Sequence, residues 1–259
     1  MRKFPSMKIS TISLIIILGI ITLSSCKNDA KDNEENQVVV SDTIATETIP
    51  EYMYVTAVSG LTLRGQPNLQ SEKLTVMPLG TKVKLVSHDE KTTMNVGGID
   101  GAMDEVEYNG QNGFVFNGFI SKFPPSGDHP VAKNYFEDLK GNFPAVSFTE
   151  TIGGTASKPS KTQTVILPTD QWHEAFFMAQ QLYDIPKQFA FPHPKGSNNE
   201  TQQNSNKRKD VLTSELHISR SANVLQKITY VNAVRKSHYT ITITKEGDRM
   251  KIEKVETTE

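Results

Sequence analysis

Cys26 is the only cysteine in the 259 residues. Any chemistry that needs a thiolate, as nucleophile or as metal ligand, therefore rests on that one side chain. The next strongest chemical signal is His173-Glu174, which opens the run HEAFF. A zinc-hydrolase helix sets a second histidine four residues after the first, so that both ligands share one helical face. Phe177 stands there instead. The remaining histidines (88, 129, 193, 217 and 238) are scattered. His173 is expected on the solvent side of its helix and His217 on the outer face of a strand. No Gly-x-Ser-x-Gly elbow is present, and serines such as those of SKPSK (157–161) read as loop residues. Gly97-Gly98 and Gly153-Gly154 read as turns, not phosphate loops. Glycoside cleavage needs two carboxylates flanking one bond, and nothing singles out two. Asp104 with Glu105, and Glu150 with Asp170, read as solvated charges. Residue types thus assign no catalytic residue, no metal ligand and no cofactor.

The position of Cys26 says more than its isolation. Arg2, Lys3 and Lys8 precede an almost wholly apolar run from Ile9 to Leu23. A charged start followed by an apolar stretch of that length is the layout of a secretory signal, and the stretch is short of the roughly 20 residues a membrane span needs. Leu23-Ser24-Ser25-Cys26 closes it. These four residues resemble the lipobox of bacterial lipoproteins. The resemblance implies cleavage after residue 25 and a lipid on the Cys26 sulfur. With Cys26 so used, no thiol is left for a disulfide or for a Cys-His peptidase.

The net charge of −1 includes +3 from the signal residues 1–25, which leaves −4 for the rest. Residues 27–50 hold two lysines against six acids, so the chain after residue 50 is close to neutral. No basic stripe for nucleic acid is visible. Residues 26–50 lack aromatics and read as a lipidated cysteine followed by a disordered acidic tether. Some 24 flexible residues reach roughly 25–30 Å. Acids soon after the cysteine resemble the surface-export signal of Bacteroidota lipoproteins. The expected location is the cell envelope, anchored by lipid to the outer membrane, with exposure on the cell surface implied by that second resemblance.

Residues 51–124 read as short strands with turn signals. Leu61 and Leu63 alternate in GLTLR. Pro78 and Gly80 break 73–86 into two strands, and Asn109-Gly110 is a type I′ hairpin turn. Five or more short strands in about 70 residues suggest a small barrel. YVTAVSGLTLRGQPNLQSEKLTVMPLGTKVKLV and VEYNGQNGFVFNGFISKF resemble a bacterial SH3-like (SH3b) domain, with residues 87–103 as an insertion. The family usually carries tryptophan where this chain has Met103, three residues before Val106, so aromatic stacking on a sugar or a proline is lost. The groove residues implied by the resemblance are Tyr52, Tyr54, Met103 and Phe116.

PPSGDHP (124–130) reads as a linker, and residues 130–259 as an α+β domain. VAKNYFEDLK is expected to be a short helix. AVSFTETI and TQTVIL read as strands. In 168–186, Trp172, Ala175, Phe176, Ala179, Leu182 and Tyr183 make one apolar helical stripe, with Thr169 or Asp170 as cap and Pro186 as stop. Residues 192–210 are rich in Asn, Gln, Ser and Lys and are expected to be disordered. The last 50 residues read as a four-strand meander. The fold class expected is mainly β with α+β: an SH3-like barrel, then an antiparallel sheet packed with one main helix, each unit folding independently.

Two functional readings remain open. One is a lipoprotein with a binding or scaffolding role through the SH3-like domain, without catalysis, its partners being the membrane through the anchor and peptidoglycan or an envelope protein. The other is an envelope hydrolase, or an enzyme's accessory subunit, with a site in 130–259. A shallow aromatic groove would favour the first and a deep pocket with converging polar side chains the second.

Overall fold

The computed structural model describes residues 52–127 and 131–258; the signal, Cys26 and the tether lie outside them. The described residues are mainly β, with two α-helices, and belong to one compact unit.

The first half contains β1 (Tyr52–Val55), β2 (Leu61–Arg64), β3 (Lys73–Met77), β4 (Lys82–Ser87), β5 (Met94–Val96), β6 (Ile99–Gly101), β7 (Met103–Tyr108), β8 (Gln111–Phe116) and β9 (Ile120–Ser121). Seven of these form an antiparallel sheet in the order β3-β2-β8-β7-β4-β1-β9. Alternation puts Leu61, Leu63, Val83, Val106 and Val115 inward, into a core of their own with Val55, Met77 and Ile120. Asn109 and Gly110 turn β7 into β8 with φ of 51° and 76°, the left-handed pair that a type I′ turn requires.

The insertion at 87–103 is not a bare loop. It forms the β5–β6 hairpin, and Asp104, expected to be solvated, is buried beneath it at 1% exposure. The Asp104 carboxylate accepts from His88 Nδ1 at 2.7 Å, from the Asp89 amide at 3.1 Å and from Asn117 Nδ2 at 3.0 Å. Three donors on one buried carboxylate offset the cost of removing its charge from water and fasten the insertion to β7.

The second half opens with α1 (Ala132–Asn142) and continues as β10 (Ser147–Thr155), β11 (Lys158–Leu167), α2 (Trp172–Leu182), β12 (Asn199–Gln203), β13 (Val211–Ser221), β14 (Val224–Val234), β15 (Ser237–Glu246) and β16 (Arg249–Thr258). Its sheet runs β10-β11-β16-β15-β14-β13-β12, antiparallel throughout. The expected meander is β13 to β16. Neither Thr169 nor Asp170 is the helix cap, since Gln171 holds that position; Thr169 Oγ1 accepts from the Gln171 amide at 3.2 Å just upstream.

Residues 192–210 are ordered, contrary to expectation, and contribute the edge strand β12. Arg220 does much of this. It stands at an inward position of β13 and is 4% exposed. Its guanidinium donates to His193 O and Ser197 O and pairs with Glu200 at 2.9 Å. A buried fork of donors finds its acceptors in carbonyls of the polar segment, so that segment cannot leave without orphaning the charge.

The two halves share a core. Helix α2 has two buried stripes. Ala175, Phe176, Ala179 and Tyr183 belong to the one expected to face the sheet. Glu174, Phe177, Met178 and Gln181 line the seam with the first half. Ile99, Met103 and Phe116 of the first half join Phe176, Phe177, Ile241 and Ile243 in one apolar cluster. The Phe116 ring sits where a Cβ on Gly101 or Gly118 would come within 2.9 or 2.5 Å of it, so both positions need glycine. The joint at 124–126 is pinned as well: Tyr135 Oη donates to Pro124 O at 2.8 Å, and the Ser126 amide donates to Gln181 Oε1 at 3.4 Å.

Candidate functional site

Met103 and Phe116 are cross-strand partners on β7 and β8, but they do not border an open groove. They are 7% and 3% exposed and lie in the core shared with the second half. Tyr52 and Tyr54 lie on β1, with β4 between them and β7; Tyr52 is 40% exposed with Lys82 Nζ 3.9 Å over its ring. The structure thus pairs two of the four groove residues, buries that pair, and leaves the two tyrosines apart from it. A ligand reaches Met103 or Phe116 only if the halves part.

His173 is also inside. It is 9% exposed and stands against Phe177 and Phe191, with ring centroids 6.3 and 6.1 Å away. The solvent-side expectation fails because the segment after α2 folds back over it. Burial lowers its pKa to about 4, although Asp170 pulls the other way. Its neighbour Glu174 is half-buried in the seam. Ser121 Oγ donates to Oε1 at 2.6 Å and Thr169 Oγ1 to Oε2. Burial raises the Glu174 pKa against the opposing pull of these hydroxyls and Lys122. His173 packs within the second half and Glu174 ties the two halves together; a cavity of about 20 Å3 beside Glu174 and Thr56 has room for one water. The other pair once read as solvated is surface chemistry: Glu150 takes Gln163 and Lys161, and Asp170 takes Lys245 at 3.1 Å.

The open site lies on the second sheet. Its inward face carries two chemistries in succession. Toward one end are Leu167, Met250, Val165, Ile252, Ile243, Ile228 and Ile218, all buried. Further along the same strands, at the same inward parity, come Ser214, Tyr230, Asn232, Ser237, Tyr239 and Glu256. Helix α2 covers the aliphatic part only. The polar part floors a cavity of about 600 Å3, walled by Asp184, Pro186 and Gln188 after the helix and by Asn204 to Arg208 before β13.

The floor is held by a chain of hydrogen bonds. Asn232 Nδ2 donates to Tyr230 Oη at 3.1 Å, Tyr230 Oη and Ser214 Oγ are 2.9 Å apart, and Asn204 Nδ2 donates to Ser214 Oγ at 3.2 Å. Gln188 Nε2 donates to Asn204 Oδ1, which also takes the Asn206 amide at 2.9 Å. Lys254 lies over the Tyr239 ring at 4.9 Å and bonds Glu256 at 3.2 Å. Burial, with the neighbouring Tyr230 phenol, raises the Tyr239 pKa, so its hydroxyl stays a neutral donor.

No family model, curated protein or solved structure matches this chain. Among the described residues no group of three or more His, Cys, Asp or Glu is placed to hold a metal, and no helix is long and apolar enough to cross a membrane. His217 and His238 have the opposite strand parity to the cavity floor, so neither reaches Ser214 or Ser237 as a base. The sequence reading missed this cavity. Its signal was present in Tyr230-x-Asn232 and Lys254-x-Glu256, polar residues that continue the parity of buried isoleucines.

Proposed function

We propose that this chain is an envelope lipoprotein of the binding type, held to the outer membrane by lipid on Cys26, with its ligand taken in the polar cavity of the second sheet. The observation that carries the binding site is the 600 Å3 cavity, a size within the roughly 300–1,000 Å3 of small-molecule sites. Its floor is prearranged by hydrogen bonds, so a ligand need not order it. The first half is read as an SH3-like module whose groove face serves as packing surface for α2. Its role is then to support the second half.

The hydrolase reading gains from the same cavity, which brings Asp184 and Glu256 to one site. It lacks an activated nucleophile, because the cavity serines have no histidine partner. Turnover of purified peptidoglycan or of a glycan by the chelator-treated protein would establish that reading over ours.

Two measurements test the proposal. Cys26→Ser should abolish palmitate incorporation and leave an unprocessed or soluble product, since the lipid is joined to that sulfur and each of its buried methylenes contributes about 0.8 kcal/mol to anchoring. Equal labelling of variant and parent would remove the anchor from the proposal. Asn232→Trp should fill the cavity and abolish capture of envelope material while leaving α2 and the shared core intact. Undiminished capture by that variant, with an unchanged melting curve, would move the binding site elsewhere.

A further inference from the structure

We propose that the cavity takes an uncharged, hydroxyl-rich ligand, a segment of a neutral glycan; this rests on the cavity being the binding site. The lining decides the class. Its acids, Asp184 and Glu256, are matched by its bases, Lys207 and Arg208, so neither an anion nor a cation finds a field of one sign. Its apolar side chains are Pro186, Val211 and Val234, too few to bury an acyl chain or an aromatic ligand at a useful gain.

What the cavity supplies instead is a surface of amides and hydroxyls, Gln188, Asn232, Ser237 and Tyr239, over a buried layer of Asn204, Ser214 and Tyr230 that holds them. Each primary amide offers both a donor and an acceptor, and each hydroxyl does the same. A sugar ring presents hydroxyls that also donate and accept, arranged around an edge, with C–H faces that fit the flanks of Tyr239. A peptide fits less well. Extended peptides are recognised by adding a strand to a sheet edge through main-chain bonds, and the cavity floor is a sheet face built from side chains. The fixed chain from Asn232 through Tyr230, Ser214 and Asn204 to Gln188 holds its groups in one orientation, the condition for reading hydroxyl stereochemistry.

The test is a titration of the purified full chain in detergent, followed by NMR at the side-chain amides of Asn232, Asn204 and Gln188. The probes are a trimer of N-acetylglucosamine, maltotriose, cellotriose, a trimer of galacturonic acid and a tripeptide. At least one neutral trisaccharide should shift those amides and saturate. Asn232→Leu and the milder Tyr239→Phe should each weaken it about three- to tenfold, the effect of losing one neutral hydrogen bond. If the uronide or the tripeptide shifts the amides and no neutral sugar does, the ligand class is wrong and the cavity reading stands. If no probe shifts them, the glycan proposal falls. If Asn232→Trp also still captures envelope material, the cavity reading falls with it.

Discussion

Phe177→Ala should destabilise the whole chain by about 3–5 kcal/mol, the range for emptying a buried phenylalanine site, and both sheets should be lost in one transition. Phe177 is 8% exposed. Its ring is 6.3 Å from Phe119 of the first half and 6.0 and 6.4 Å from Phe176 and Phe191 of the second. Removing it opens a void between the halves that neither backbone can collapse into, because Ser121–Glu174 and Lys122–Pro168 bonds fix the approach of β9 to α2. Separate units joined by a Pro-rich linker would melt separately, as the sequence led us to expect. The shared core predicts otherwise. Denaturant unfolding followed by Trp172 fluorescence and by the amide signals of Leu63 and Val106 should give one midpoint in parent and variant alike. Two midpoints, with the Leu63 and Val106 signals untouched by the substitution, would refute the shared-core account.

Stability should also respond to pH through the adjacent pair at the start of α2, in opposite senses. His173 is held neutral down to about pH 4, whereas in the unfolded chain it takes a proton near pH 6.5. The unfolded state therefore binds the extra proton first, and stability falls as pH drops from about 6.5 to 4, by up to about 3 kcal/mol. Glu174 has a raised folded pKa. Its contribution is present in acid and is lost as pH rises from its unfolded value through the folded one. Asp170 faces both groups and Lys122 faces Glu174, and both are part of the measured total. His173→Gln should flatten the acid limb between pH 6.5 and 4. Glu174→Gln should raise the melting temperature at pH 8, since an amide can accept from one hydroxyl and donate to the other without carrying charge. Glu174→Ala should lower it at pH 5 by leaving the hydroxyl protons of Ser121 and Thr169 without their acceptor. Identical pH profiles for parent and His173→Gln would show that the imidazole is solvated after all.

Much of the second half was legible because alternation in strands and 3.6-residue spacing in α2 are strong signals. The sheet-facing stripe Ala175-Phe176-Ala179-Tyr183 is one such signal. The second stripe was hidden by its own chemistry: Glu174 and Gln181 flank Phe177 and Met178, and an acid on a helix face reads as solvent until a hydroxyl from another element is known to meet it. A helix apolar on nearly all sides belongs in an interior, and His-Glu-Ala-Phe-Phe-Met-Ala was that warning. The segment 192–210 misled for a related reason. Its residues are polar apart from two prolines and a glycine, yet the group that orders it, Arg220, lies in β13 and became recognisable only as an inward-facing arginine in the series Ser214, Leu216, Ile218, Arg220. The cavity depends on where α2 stops relative to the sheet, which no local pattern encodes.

The order β10-β11-β16-β15 has a consequence for how the chain is completed. Strand β11 has no partner other than β10 until β16 arrives, and β16 is the last strand of the described chain. Ser160 pairs with Thr257 and Leu167 with Met250, so a hairpin made early waits for β16 before it joins the meander. The loop so closed contains α2 and the whole of β12 to β15, a long-range step of the kind that slows assembly. Strand β16 is therefore the keystone of the second sheet: it sets β10 and β11 beside the rest and supplies Glu256 to the cavity floor, so the site forms only once β16 has paired.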